Sequence, residues 1–207
     1  MRGVIFAMFA TFATGCDEPA GQGWAAGALF VAVCDDGESL RRTCPEGVAD
    51  LTEPQCTDQT GAPECPAFDL AADFFSLEIF GDESAKLRIQ RGGQDLALTD
   101  GLVFEIQDVR RLRGELGERL AVGPDENIRA ALALFATCPD TNENFELRGG
   151  VTFLSFGKQA GDRIAGCVDG LEVRDGRGEA PGDVRGYLQA HFDFIYSRGT
   201  PYQRFSR

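Results

Sequence analysis

The segment from Tyr187 to Tyr196 alternates without a break: Leu188, Ala190, Phe192, Phe194 and Tyr196 are interleaved with Gln189, His191, Asp193 and Ile195. Successive side chains of a β-strand point to opposite faces, so apolar residues at a spacing of two bury one face and leave the other to polar groups. A helix would scatter the same residues around its circumference. The same reading applies elsewhere. Phe75, Leu77 and Ile79 alternate with Ser76 and Glu78, and Leu87 and Ile89 with Lys86, Arg88 and Gln90. Ala28 to Val33, Leu96 with Leu98, Leu102 to Ile106, Ala130 to Phe135, Val151 to Phe156 and Arg163 to Leu171 supply further short apolar runs, and Gly92-Gly93 and a Gly/Asp-rich stretch after Leu171 supply turns. Val109, Leu112, Leu116 and Leu120 have helical spacing, but Gly114 and Gly117 weaken a helix by about 1 kcal/mol each relative to Ala. The expectation is an all-β chain: a single antiparallel β-sandwich or flattened barrel of roughly eight or nine strands.

The N-terminus follows a different rule. Arg2 precedes an apolar run from Val4 to Ala13, and Ala13-Thr14-Gly15-Cys16 closes it with small residues before a cysteine. The run is about half the length a membrane-spanning helix needs, and Asp17, Glu18 and Pro19 end it. This segment resembles the type II bacterial lipoprotein signal, although Ala13 stands where that family usually has Leu. The resemblance implies cleavage after Gly15, diacylglycerol on the Cys16 thiol, and a lipid bilayer as partner. The alternative is an ordinary secretory signal cut near the same place. Either way the chain leaves the cytoplasm, for the periplasmic face or the outer membrane of a cell envelope. The expected division is residues 1–15 as signal, 16–27 as lipidated tether, and 28–207 as the β-domain, with a disulfide-stapled N-terminal loop region at 34–66.

Seven cysteines make an odd number, and lipidation of Cys16 leaves an even one. Cys34, Cys44, Cys56, Cys65, Cys138 and Cys167 can then all pair in an oxidising compartment. The stretch from Asp35 to Pro66 is rich in Pro, Thr, Asp and Glu and has too little apolar periodicity to hold itself by burial. Local pairs among the first four cysteines are expected there. Cys138 with Cys167 is expected to close a loop worth roughly 3–4 kcal/mol. With no C-x-x-C and with His191 the only imidazole, neither a zinc site nor a redox thiol is expected.

Gly150-Val151-Thr152-Phe153, Asp162-Arg163-Ile164-Ala165-Gly166, Gly186-Tyr187-Leu188 running to Phe192-Asp193-Phe194, and Gly199-Thr200-Pro201-Tyr202 set a rhythm of strand, glycine, strand and a closing aromatic strand. In this the last sixty or so residues resemble β-rich envelope lipoproteins of uncharacterised function from predatory and soil-dwelling bacteria. The resemblance implies fold and address and carries over no catalytic residue.

A formal charge of −13 disfavours nucleic acid and anionic lipid as partners. His191 and Asp193 lie two apart on the polar face of the last long strand, where a dyad is geometrically possible, yet no G-x-S-x-G or other positioned nucleophile accompanies them. Asp140, Asn142 and Asn144 open like a calcium loop, but Phe145 stands where an EF-hand needs Gly and Val151 where it needs Glu, so a polar turn is the simpler reading. The acids Asp169, Asp175, Glu179 and Asp183 around glycine-rich turns, and the basic cluster Arg110, Arg111 and Arg113, read as solvated surface. The functional expectation is a membrane-anchored domain with a non-catalytic binding or structural role in the envelope, without cofactor and with an unidentified ligand. The competing expectation is a secreted hydrolase acting on envelope or prey polymers near His191 and Asp193.

Overall fold

Where alternation is cleanest, the strands fall where it predicts them. A computed structural model describes residues 21–29, 68–70, 72, 74–81, 83–91, 99–137, 143–175, 184–196 and 203–206. Its elements are β1 (Gly21–Leu29), β2 (Phe68–Asp69), β3 (Phe74–Phe80), β4 (Ser84–Arg91), β5 (Asp100–Ile106), α1 (Val109–Gly114), β6 (Arg119–Val122), β7 (Ile128–Leu134), β8 (Glu143–Phe156), β9 (Arg163–Asp175), β10 (Val184–Ile195) and β11 (Gln203–Ser206). The chain is thus mostly β, in one large mixed sheet with a single short helix among the described residues. Parallel pairing is confined to β1 with β11 and β6 with β7.

Hydrogen bonding runs around a complete ring. Antiparallel neighbours follow one another from β3 through β4, β5, β7, β8 and β9 to β10. From β10 the sheet passes to β1 across nine residue pairs, Gly21↔Phe194 to Leu29↔Gly186. The other edge of β1 meets β2 at Ala26↔Asp69 and Gly27↔Phe68, and meets β11 at Gly21↔Phe205 and Gln22↔Ser206. β11 in turn pairs with β3 at Gln203↔Phe75 and Arg204↔Phe74, so the C-terminal strand wedges between β1 and β3. The one large sheet thus closes on itself as a barrel, with the parallel β1–β11 contact at its seam. β6 lies along the second half of β8, at Arg119↔Thr152 to Val122↔Gly149, where β7 no longer reaches.

One boundary is corrected. Residues 16–27 are expected from sequence to be a flexible tether ahead of a domain starting at 28, but Gly21 to Gly27 are strand, and Ala25 and Ala26 are fully buried. Small residues that suggest a linker by composition are here what lets a strand approach its neighbours closely. The signal 1–15, Cys16, and the stapled loop region 34–66 lie outside the described residues. Cys167 is the one cysteine among the described residues; it is buried and in disulfide linkage.

The described interior is one apolar cluster. Leu87, Ile89, Leu102, Phe104, Ile128, Leu132, Leu147, Phe153, Val168, Leu188 and Phe192 are among the residues of one buried cluster. β5 and β10 stand opposite one another in the ring, and their Phe104 and Phe192 rings approach to 6.4 Å between centroids, so side chains meet across the barrel. Phe153 packs edge-on to Phe192 at 5.5 Å. Gly166 makes room for this: a Cβ there would sit 2.7 Å from Phe192 Cζ. The inward positions of β1 are Gly21, Gly23, Ala25 and Gly27, and over them Phe75 and Phe194 come to 3.8 Å between centroids.

The strand ends define two rims. At one, β3 turns into β4, β8 into β9, and β5 leads into α1. Asp108 caps α1, its Oδ1 accepting from Arg111 N at 2.9 Å, while the Asn127 side chain bonds both backbone groups of Asp108. Capped in this way, α1 turns Val109 and Leu112 into the core and closes that end. The helical spacing read from Val109 to Leu120 holds only this far, since Leu116 is exposed and Leu120 belongs to β6. At the opposite rim β1, β4, β7 and β9 end and β5, β8 and β10 begin. Asp100 ties down the chain leaving β7, accepting from the amides of Ala136 and Thr137 at 2.9 Å each and from the Thr137 hydroxyl at 2.5 Å.

Truncating the residue that meets its neighbours across the interior should be expensive. Phe192→Ala is expected to lower unfolding free energy in urea by about 3–5 kcal/mol, and Phe80→Ala at an exposed position by less than about 0.5 kcal/mol. Gly27→Ala should also destabilise, because its new Cβ would meet Leu188 Cα at 2.9 Å and the Tyr187 carbonyl oxygen closer still.

Candidate functional site

Since Phe192 and Phe194 fill the interior, alternation sends His191 and Asp193 to the outer wall of β10. The register sets Trp24 of β1 opposite His191 on one side and Cys167 of β9 on the other. Thr152 of β8 follows Cys167 in the same row, and Arg119 of β6 follows Thr152. His191 is only partly exposed. Burial holds its pKa below the usual imidazole value, the nearby Asp193 charge pulls it up, and Arg163 pushes it down.

Asp193 is committed elsewhere. Arg163, at the start of β9, donates from Nε to Oδ1 at 2.7 Å and from Nη2 to Oδ2 at 2.6 Å, a bidentate clamp between neighbouring strands. That hydrogen bond is the main reason the carboxyl lies below the ordinary aspartate range, against the opposing effect of partial burial, and the same bond raises Arg163. The arrangement therefore supplies an imidazole of lowered pKa and a carboxylate with both oxygens engaged. Hydrolytic chemistry asks for a nucleophile within hydrogen-bond reach of the imidazole, whereas the residues directly opposite His191 are an indole and a disulfide-linked cysteine.

The other sequence candidates scatter. Asp140, Asn142, Glu179 and Asp183 lie outside the described residues, as do Cys16, Cys34, Cys44, Cys56, Cys65 and Cys138, while Asn144 is exposed at the start of β8. Asp169 and Asp175 fall within β9. Among the described residues no group of three or more His, Cys, Asp or Glu side chains is placed to hold a metal ion. The arginines of α1 are not equivalent solvated charges. Arg113 donates to the carbonyl oxygens of Phe156 and Gly157 at 3.4 and 2.8 Å and lies 5.7 Å over the Phe156 ring, and Arg111 pairs with Glu115 at 3.1 Å, leaving Arg110 exposed.

One surface feature has no counterpart in the sequence pattern. On the outer wall of β4, β5 and β7, Gly101, Val103, Ala131 and Ala133 floor a groove of about 260 Å³, with Lys86, Arg88 and Glu105 along one side. Lys86 is paired with Glu105 at 2.6 Å and Arg88 with Glu78 at 2.6 Å. The available signal is the run of small residues at outward positions of β7, which only the register places beside Gly101 of β5. Trp24 escapes a sequence reading because it sits in a stretch that resembles a tether. No protein family, no curated protein and no solved structure matches this chain.

His191 is the only histidine, so its proton signals can be followed by NMR without assignment. Its midpoint is expected below 6.5 and should rise toward that value on unfolding. Because burial lowers the folded pKa, the unfolded chain binds the proton first, and stability is lost as pH falls from about 6.5 through the folded pKa. Asp193 adds a further loss at lower pH, as its clamp is protonated below the ordinary aspartate range. His191→Gln should remove the first decline in urea-unfolding free energy and leave the second.

Proposed function

We propose that this chain is an exported lipoprotein whose acylated Cys16 holds a non-catalytic barrel at the cell envelope, where it acts by binding or by structural presence. The observation that carries this reading is the Phe104 to Phe192 approach across the ring. Eight-stranded barrels that carry a small ligand keep a hollow interior, whereas the inward side chains of this one meet each other. Recognition then falls to the outer wall and to the rim connections. Charge on the outer wall supports a lipid anchor over strands that span the bilayer. Pairs such as Lys86–Glu105, Arg88–Glu78, Arg148–Glu146, Arg174–Glu172 and Arg163–Asp193 face outward with an apolar core inside, the reverse of a membrane-spanning barrel.

The disulfides belong to the same proposal. Cys34, Cys44, Cys56 and Cys65 fall within the sequence joining β1 to β2 and Cys138 within that joining β7 to β8, and β1 and β7 both end at the rim opposite α1. Local pairs in the first set and Cys138 with Cys167 would stiffen that rim into a presented surface. The clamped Asp193 and the absence of a hydroxyl or free thiol directly opposite His191 favour this over hydrolysis.

Intact mass of the protein from its native membrane fraction, before and after reduction and alkylation, tests both parts. The expected species starts at Cys16, carries acyl mass, and gains alkyl groups on the other six cysteines only after reduction. Cys16→Ser should move the protein out of the membrane fraction. An unmodified Cys16 in the native protein would overturn the anchor, and alkylation without reduction would overturn the full set of disulfides.

A further inference from the structure

The exposed large hydrophobic side chains among the described residues are Phe80, Leu116, Leu154 and Ile195, and all four lie toward the same rim. Phe80 is the last residue of β3, where the chain turns into β4. Leu116 follows α1, and the amide of the next residue, Gly117, donates to the Phe153 carbonyl at 2.9 Å, which brings this turn to the end of β8. Leu154 is two residues from the end of β8, at an irregularity where Phe153 and Ser155 oppose the adjacent residues Gly166 and Ala165. Ile195 ends β10. Phe80 is 56% and Leu154 46% exposed.

The N-terminal strand starts at this rim as well, since Gly21 pairs with Phe194 beside the end of β10. The chain from Cys16 to Gly21 is five residues and reaches at most about 18 Å. Resting on the lipoprotein reading above, we infer that this rim is the bilayer-facing end of the barrel: Phe80, Leu116, Leu154 and Ile195 insert at the lipid headgroup level, and the opposite rim is held away from the membrane. Arg110, Lys158 and Arg119 are exposed around the same end and offset part of the charge of Glu83, Asp108, Glu118, Asp125 and Glu126. Neutral phosphatidylcholine is expected to suffice, with little dependence on salt, because insertion of apolar side chains rather than attraction of charge drives the contact. An acyl chain alone would leave the barrel free to tumble on a short leash; the apolar rim gives it one orientation.

The test places single additional tryptophans in the full chain, as Phe80→Trp and Leu154→Trp at this rim and Asn144→Trp at the opposite one. The purified membrane-fraction protein is reconstituted into phosphatidylcholine vesicles carrying brominated lipid. Quenching is read against the unsubstituted protein, whose one tryptophan is Trp24. The expected result is quenching at Phe80→Trp and Leu154→Trp roughly threefold or more above Asn144→Trp. A double variant combines Phe80→Ser with Leu154→Trp, and should weaken the quenching while leaving urea unfolding unchanged. Intact mass of the same samples separates the two ideas. Acylated Cys16 with equal quenching at all three sites overturns the orientation and leaves the anchor standing. Unmodified Cys16 with selective quenching on added vesicles overturns the anchor and sustains the rim as a docking surface. Unmodified Cys16 with no quenching overturns both.

Discussion

The barrel closes because β1 presents almost no side chain to its interior. Gly21, Gly23, Ala25 and Gly27 occupy the inward positions of that strand, and the nine pairs with β10 are made at a spacing that a Cβ on Gly21 or Gly27 would violate. The volume left vacant is taken by Phe75 and Phe194, which come together from β3 and β10 over the strand between them. A larger residue in β1 would push those rings back and part the seam. The open sheet would then expose the backbone of β10, the most strongly amphipathic strand in the chain, as an unpaired edge. Closure thus protects the segment most apt to pair with another molecule, and β11 and β2 share the same duty on the other side of β1.

Much of this is legible in sequence, and the failures share a cause. Phe74 to Phe80 and the Tyr187 to Tyr196 alternation read correctly because large apolar side chains at a spacing of two leave one interpretation. β1 does not, since glycine and alanine carry no periodic signal and resemble a linker by composition. The first half of β8 does alternate, Phe145 and Leu147 against Asn144, Glu146 and Arg148, but two apolar residues directly after the polar stretch from Asp140 to Asn144 are too short a run to separate from a turn. β9 continues beyond Leu171 through a step in phase. Val168 is inward and so are Leu171 and Val173, an odd interval absorbed by Gly170 at φ 55°. A period of two breaks at every such bulge, so a long bent strand looks like a short strand and a turn.

The candidate site is legible in part for the same reason. Alternation alone puts His191 and Asp193 together on the polar face of β10. What it cannot supply is the stagger between strands, and the stagger decides that Asp193 faces Arg163 and that His191 sits between Trp24 and Cys167. Once those neighbours are known, the two residues part company. Asp193 becomes an electrostatic tie between β9 and β10, and His191 becomes a partly buried imidazole whose pKa burial lowers.

The two rims differ in a way that gives the barrel a direction. At the α1 end the connections are short or folded: Asp108 and Asn127 lock the helix entry, Asp162 accepts from the amides of Lys158 at 2.7 Å and Gln159 at 3.1 Å in the β8–β9 turn, and Arg113 holds the β8 terminus. Those amides lower the Asp162 pKa below its ordinary value. At the opposite rim β7 ends, and Asp100 ties down the chain that leaves it. The α1 end, fixed by its side-chain bonds, is the one beside the start of the N-terminal strand, where Gly21 pairs with Phe194. Burial supplies the stiffness between the two rims: with Phe104, Phe153 and Phe192 in contact through the centre, a force on one rim is transmitted to the other through close-packed side chains rather than through an empty tube.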